Sequence, residues 1–505
     1  MKRCFCLLID VLVLAVCVAP SDVAVGQVPP RATFGTPRIA LPESAARAEI
    51  VPVENQQQAP STSAMTGTAL FAADEQMVDL FTALHLAEAQ NPNIGLSRQA
   101  IQEALAQQLQ ARSMMLPSVR AGANYRNHQG VLQTSSGKME DVNSSSLYLG
   151  NGALTEAAGT TVIPGVQVFA HFGDGIFEPL AARQLVASRN FQAQATSNQV
   201  LLEVAARFLD LMRAEAELQA LRQTETDMDQ AVKITRAFAD AKQGREADAM
   251  RAQTTALLLH SREVRAEEDL LTSSAELARV LSLDPAVRLR APSQSAASLE
   301  LVDAGQDLEV LLSLAQAARP ELAALSAEIA RKQIQVRQER ARPFLPTVSL
   351  GFSAGSFGGG ASPAFGKFNN RTDVDLIAYW TLQNMGVGNR ALQKQRLSEQ
   401  DQMTLERERM LNVIGHEVAD AQALVLSRRE NIEIARSRLV IAERAFQEDL
   451  KRIRGNVGLP IELLNSLNRL ASARVDVARV VQEYNLAQMQ LFVALGQTPL
   501  AATAR

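Results

Sequence analysis

The 505-residue sequence has few cysteines and few aromatic residues. Its cysteines, Cys4, Cys6 and Cys17, all lie near the N-terminus, so the rest of the chain has no disulfide framework. Aromatic residues make up only 4% of the chain, and the abundance of Ala, Gln, Leu, Arg and Glu instead favours long helices. The net charge of −4 is spread over interspersed charges of both signs, without a clustered basic face. We therefore expect no nucleic-acid partner.

The N-terminus has the pattern of a secretory signal over residues 1–26, in which Lys2 and Arg3 precede an apolar run. An uncleaved membrane anchor is the alternative reading. The four residues that end at Cys17 resemble a lipoprotein signal, which makes Cys17 a candidate lipidation site. Residues 27–73 are rich in Pro and Gln and predict a disordered linker. No later apolar run is long enough to predict a transmembrane helix.

The remaining sequence is an internal duplication. The segment 86–126 recurs as 314–355, and each copy carries a Leu-Pro step, Leu116-Pro117 and Leu345-Pro346. Each copy predicts a helix, a pair of strands and a very long helical hairpin, as expected of two fused repeats. The predicted organisation is a first repeat, a linker, a second repeat and a tail, at 74–285, 286–307, 308–499 and 500–505.

Four segments alternate apolar and polar residues with the period of a strand: 118–126, 166–173, 347–355 and 373–382. Their lengths are close to the roughly 9–11 residues with which a tilted strand crosses a bilayer. One apolar and one polar face fit lipid outside and water inside, although a half-buried soluble sheet shows the same alternation. Four strands cannot close a membrane barrel, and open edges are not tolerated in hydrocarbon. Several chains must then share one barrel, with eight strands from two chains or twelve from three.

The predicted helical hairpins, 179–283 and 388–496, contain long arms of about 95–100 Å at 1.5 Å per residue. The returning arms are shorter, and so are the helices that precede the strands. One returning arm and one such helix, stacked end to end, match a long arm. A heptad stripe runs from Ile414 to Ile453, with polar breaks at Arg428 and Asp449. The fold class is therefore mainly α, a long helical barrel with a small β part of four membrane strands per chain.

These motifs resemble the TolC-like outer-membrane efflux channel family over about residues 74–500. The most specific are the Leu-Pro strand entries, "MMLPSVRAGANYR" and "PFLPTVSLGFSAG", and the Gly-plus-acid tips, "GREADAMRAQ" and "GLPIELLNSL". The resemblance implies a homotrimer with a 12-stranded barrel in outer-membrane lipid and a helical barrel that extends through the periplasm. It also implies that the periplasmic tip meets a membrane-fusion adaptor linked to an inner-membrane transporter.

The sequence shows no catalytic constellation. No two histidines have the i, i+4 spacing of a helical metal site, and the sequence has no GxSxG elbow or P-loop. We therefore expect neither enzyme activity nor a cofactor nor a metal site.

The tips of the two hairpins are the candidate functional sites. Two glycines and a proline after a long helix predict a reversal at the second tip, and the Val-Gly-Leu sequence there resembles the family's adaptor-docking signature. A simple helix turn needs the same glycine and is the alternative. The candidate docking residues are Gln243, Gly244, Arg245, Asn456, Val457, Gly458, Leu459 and Pro460.

Charged residues near the tips could form rings that close or select at the aperture of a tube. The candidates are Asp240, Asp248, Asp449, Arg452 and Glu462, with Asp449 foremost because it falls on the heptad stripe. We expect a passive, trimeric exit duct of a tripartite efflux or type I secretion system. The competing expectation is a periplasmic coiled-coil scaffold protein.

Overall fold

The structure is a computed structural model that describes residues 75–121, 123–134, 136–149, 166–284, 286–292, 297–360, 369–455 and 457–502. The predicted signal, the Pro/Gln-rich linker and Cys17 lie outside these ranges. So does Asn456 at the second tip.

Helices account for most of the described chain. In chain order they are α1 Leu80–Gln90, α2 Pro92–Ser113, α3 Phe172–Asp240, α4 Glu246–Val280, α5 Leu308–Ala318, α6 Pro320–Ala341, α7 Val387–Arg454, α8 Pro460–Ala494 and α9 Pro499–Ala502. Among these described helices, none is both long and apolar enough to cross a membrane.

The duplication is visible in the lengths of corresponding helices. α2 and α6 have 22 residues each, α4 and α8 have 35 each, and α3 and α7 have 69 and 68. Both short helices before the strands begin with proline at the first turn, Pro92 and Pro320, where no backbone N–H is needed. The internal repeat predicted from the sequence is confirmed.

The long helices form a single layer with the shorter ones between and beside them. α3 contacts α2 and α4 on one side and α6 and α8 on the other, and α7 packs against α6 and α8. Both α6 and α8 thus lie between the two long helices, with α7 at one edge of the layer and α2 and α4 at the other. This is the predicted arrangement of two shorter helices beside each long one.

The predicted heptad stripe of α7 is the buried face of that helix. Ile414, Val418 and Phe446 are at most 3% exposed, whereas both polar breaks are only half-buried. At the first break, Arg428 pairs with Glu483 of α8 at 2.8 Å. The heptad stripe of α7 therefore tolerates a charged residue where the neighbouring helix supplies an oppositely charged partner.

Six strands form one antiparallel sheet, and two short strands form another. In chain order the strands are β1 Glu75–Met77, β2 Ser118–Ala121, β3 Ala123–Gln133, β4 Met139–Leu149, β5 Val166–His171, β6 Arg288–Arg290, β7 Thr347–Gly360 and β8 Asn369–Tyr379. β2 and β3 pair with β5 and β4 respectively, β4 and β5 both pair with β7, and β7 pairs with β8. β2 and β3 together occupy the first strand position of the sheet, and β5 and β4 together occupy the second. With β7 and β8 in the third and fourth positions, the sheet is four strands wide.

The strand and helix limits differ from the sequence expectation most at the first strand and the first long helix, while β7 also continues to Gly360 and β8 covers Asn369–Tyr379. The first strand continues to Gln133, and β4 returns along it in a hairpin that the sequence does not predict. The helix α3 begins directly after β5 at Phe172 and runs through Pro179. Pro179 lies beyond the first turn and supplies no N–H to the helix, which nevertheless continues to Asp240.

The segment predicted as a linker between the repeats, 286–307, is held against the second hairpin. β6 lies within it and pairs in parallel with β1, Glu75 opposite Arg288. The side chains of Asn485 and Gln488 on α8 are 1–2% exposed and accept hydrogen bonds from backbone N–H groups of the segment at 2.8–3.2 Å.

Candidate functional site

The first tip is a tight reversal that closes on one carbonyl. The N–H groups of Gln243 and Gly244 donate to the Phe238 carbonyl at 3.0 and 2.9 Å. Lys242 has a left-handed φ of 59°. Such a left-handed residue with bonds back to the last helical turn is a common way to end a helix.

The second tip repeats this geometry at the corresponding positions. The N–H groups of Val457 and Gly458 donate to the Arg452 carbonyl at 3.0 and 3.1 Å. A Cβ at position 458 would lie 3.0 Å from the Ile453 nitrogen and 3.2 Å from the Arg452 Cβ. Glycine fits here because the chain passes so close to the end of α7, and a side chain at this position requires the adjacent backbone of Arg452 and Ile453 to shift.

The two tips present different chemistry to solvent. At the second tip, Val457 and Leu459 are 76% and 61% exposed. At the first tip, the exposed side chains flanking the glycine are Gln243 and Arg245. The buried Pro460 starts α8. The pair of exposed apolar side chains belongs to the second tip, as the Val-Gly-Leu sequence suggests.

Three of the five predicted aperture charges come together at the second tip. The guanidinium of Arg452 lies 3.8 Å from the Asp449 carboxylate and 3.5 Å from that of Glu462. The Glu462 carboxylate also accepts a 3.4 Å hydrogen bond from the Leu459 N–H. These contacts join the last turn of α7 to the first turn of α8.

The other two predicted charges lie in separate ion pairs at the first tip. Asp240 pairs with Arg236 at 3.3 Å, and Asp248 pairs with Arg251 at 2.9 Å. Arg236 also reaches Glu246 across the tip at 2.7 Å. Sequence reasoning missed Arg236, although its i, i+4 spacing from Asp240 was available as a signal.

A polar tie between the two hairpins was also missed. Arg474 of α8 donates to the Thr224 hydroxyl at 3.1 Å and to the Asp227 carboxylate at 2.8 Å on α3. Further along α8, Gln482 donates to Asp210 at 3.0 Å, and burial raises the pKa of the Asp210 carboxyl. Residues so distant in sequence carry no local pattern that pairs them.

The strand sheet carries its apolar residues on the exposed face. Val119, Val168, Leu350 and Leu376 stand opposite one another in one row across the sheet. Val119, Leu350 and Leu376 are 64%, 44% and 72% exposed, whereas Ser349 on the other face is 8% exposed. A sheet in water buries its apolar face, so this inverted polarity fits a lipid-facing surface.

Both edges of this sheet are open within the described residues. There, β2 and β3 pair on one side only, and β8 pairs only with β7. Unpaired edge groups in a membrane require partners, because hydrocarbon offers no hydrogen bonds.

The edges of the helical layer carry exposed apolar stripes. On α4, four exposed residues recur every seven positions: Met250, Leu257, Val264 and Leu271. On α7, the exposed apolar residues include Leu405, Leu426, Ile434 and Ile441. Heptad spacing with an exposed apolar face is the pattern of a helix that packs against another helix.

Comparisons with known proteins agree with this architecture. A family model described as outer membrane efflux protein matches residues 311–497. No curated protein matches the chain. The solved outer-membrane channel OprN is similar at 17% identity with a TM-score of 0.67, covering 83% of this chain and 89% of that one.

Two further solved structures show the same similarity. The outer-membrane protein VceC from Vibrio cholerae has 15% identity and a TM-score of 0.67, covering 83% of this chain and 96% of that one. The open state of the MtrE outer-membrane channel from Neisseria gonorrhoeae has 16% identity and a TM-score of 0.64, covering 83% and 89%. Residues 311–497 are thus similar to the outer membrane efflux protein family, and the chain shares the fold of the solved outer-membrane channels OprN and VceC.

Proposed function

We propose that the protein is the passive outer-membrane exit duct of a tripartite efflux or type I secretion system, assembled as a homotrimer. The observation that carries this proposal is the sheet with inverted polarity and two open edges. The chain supplies a water-filled path, and an inner-membrane transporter supplies the energy.

In a homotrimer, neighbouring copies cover the open edges of both the sheet and the helical layer. Three sheets of four strands close into twelve, an allowed number for a membrane barrel with a water-filled interior. The same rotation brings the apolar stripe of α4 in one copy towards the apolar edge of α7 in the next. A periplasmic scaffold protein, the competing function, would leave the row through Leu350 and Leu376 in water.

We propose that an adaptor opens the duct by binding to the second tip. Val457 and Leu459 form an exposed apolar pair on a turn held by the Arg452 carbonyl and by the Arg452 ion pairs. Contact with an adaptor covers this pair, and its binding energy shifts the helix ends from a closed to an open arrangement.

Substitution of Gly458 tests the docking role. Gly458→Ala places a Cβ 3.0 Å from backbone and should distort the second tip. Export is measured in cells in which this chain is the only duct for its adaptor and transporter. We expect Gly458→Ala to reduce export while the amount of trimer stays unchanged.

The matched control is Gly455→Ala in the same tip. Its Cβ would meet nothing closer than 3.5 Å, which is ordinary van der Waals contact. Gly455→Ala should therefore export like the parent protein. Normal export by the Gly458→Ala variant would contradict the docking role of the tip.

A further inference from the structure

The first hairpin carries three candidate metal ligands on facing helices. Glu225 lies on α3, and His260 and Glu263 lie one turn apart on α4. The His260 Nδ1 is 3.2 Å from the Glu225 Oε1 and 3.6 Å from the Glu263 Oε2. All three donor atoms lie within 4.8 Å of one another, and in the part of the chain that the structure describes no other His, Cys, Asp and Glu group meets this criterion.

The distances suit a small tetrahedral cation. With bonds of about 2.1 Å, two ligands of a tetrahedral Zn²⁺ stand roughly 3.4 Å apart. The two separations from His260 fall on either side of that value. Because the donors come from two packed helices, the site is preformed to within a small side-chain adjustment.

The charge around the cluster also favours a divalent cation. Arg222 lies 3.1 Å from the Glu263 Oε1 and 2.6 Å from Glu267. Arg222 pairs with Glu263 and Glu267, and Glu225 adds a third carboxylate, so with a neutral imidazole the ionised group carries an excess charge of about −2 at neutral pH. A hydrogen bond shared with Glu263 raises the pKa of Glu225 above its ordinary value, which reflects this crowding of carboxyl groups.

Arg222 also supports the geometry of one ligand. It holds the Oε1 of Glu263 and leaves the Oε2 directed towards His260. Partners of this kind orient metal ligands from the outside. Burial opposes ionisation of Glu263, but hydrogen bonds with Glu225 and Arg222 outweigh it and lower the pKa of Glu263.

We propose that Glu225, His260 and Glu263 bind a transition-metal dication of the Zn²⁺ type through one nitrogen and two carboxylate oxygens. The metal would clamp α3 to α4 above the first tip, with a fourth position left to water. The metal-free expectation from the sequence rested on the search for histidine pairs, which cannot detect ligands 35 positions apart on two helices. This site does not depend on the proposed duct function.

The test is a titration of the metal-stripped, detergent-purified full-length protein with ZnSO₄, followed by calorimetry. We expect one tight Zn²⁺ site per chain. His260→Ala and Glu225→Gln should each weaken it at least about tenfold, the lower bound for groups that merely support a ligand. Two different variants are used so that a folding defect in one, detected by circular dichroism, does not decide the result.

His85→Ala is the matched control. His85 also faces a glutamate at i, i+3, with Nδ1 4.0 Å from Glu88, but this pair is not part of a group of three among the described residues. The control should bind Zn²⁺ like the parent protein. Absence of Zn²⁺ binding at micromolar concentration, or unchanged affinity in both ligand variants, would overturn the proposal.

Discussion

Asp449 is the half-buried residue at which the apolar seam of α7 reaches the second tip. Its carboxylate faces Arg452, which also pairs with Glu462 at the start of α8. The flanking seam residues, Phe446 and Ile453, are at most 3% exposed. A charge at this position therefore links the packed part of the hairpin to its tip by an ion pair of moderate length.

Replacement of Asp449 by alanine should loosen the closed aperture. The change removes one of the two carboxylates that hold Arg452, so we expect a higher single-channel conductance in planar bilayers. Glu448→Ala is the control, because Glu448 is exposed and pairs only with the exposed Lys451 at 2.9 Å among the described contacts. Equal conductance in Asp449→Ala and the parent protein would remove Asp449 from the aperture.

Glu399 provides a residue-scale test at acid pH. A hydrogen bond from Lys332 of α6, 2.8 Å away, lowers the pKa of Glu399 from 4.5 to about 2. A carboxyl with a lowered pKa stabilises the folded state fully above its unfolded pKa, and this contribution is lost as the pH falls towards 2. The helical part should therefore lose thermal stability between pH 4.5 and about 2.

Lys332→Met should reduce this loss of thermal stability at acid pH. Without Lys332, the Glu399 carboxyl titrates nearer its ordinary pKa in both the folded and the unfolded state. Thermal melting followed by circular dichroism at several pH values measures the effect. Lys451→Met, which removes the partner of the exposed Glu448, is the control. If thermal stability falls equally with pH in Lys332→Met and in the parent protein, the contact between α6 and α7 contributes nothing to stability at acid pH.

Between elements, the tie from α8 to α3 is the contact with the clearest energetic consequence. The side chains of Arg474 and Asp227 are 11% and 23% exposed, so their ion pair is shielded from water. Arg474→Ala leaves Asp227 without this partner and should destabilise the protein by about 1.5–3 kcal/mol.

Arg479→Ala is the control on the same helix. Arg479 pairs with Asp476 at i, i+3 and is 57% exposed, so its loss should cost at most about 0.5 kcal/mol. Chemical denaturation of the two variants measures both values. A cost for Arg474→Ala no larger than that of the control would show that the pair of Arg474 with Asp227 does not hold the two hairpins together.

The elements that the sequence predicts well are those with a strict period. The helix lengths and the buried stripe from Ile414 to Ile453 follow from heptad spacing. The hairpin between Asn127 and Leu149 carries polar residues on both faces, so period-two alternation vanishes and the sequence does not predict its strands although the backbone pairs. The tip glycines and the pair of Arg236 with Asp240 carry local sequence signals, whereas the pair of Arg474 with Asp227 depends on which helices become neighbours.

At the scale of the whole molecule, both the sheet and the helical layer have exposed edges within the described residues. The sheet has open edges within the described residues, and the edge helices α4 and α7 expose apolar stripes. An apolar row through Val119, Leu350 and Leu376 faces outward. These features support the proposed homotrimer, in which further copies of the chain complete both the sheet and the helical layer.

The protein mass of the detergent-extracted outer-membrane particle, measured by light scattering with the detergent contribution subtracted, tests this account most directly. The account predicts three chain masses per particle, since three sheets of four strands close a barrel. A monomer, a dimer or recovery of the protein in the soluble fraction would contradict the shared barrel and, with it, the exit-duct function.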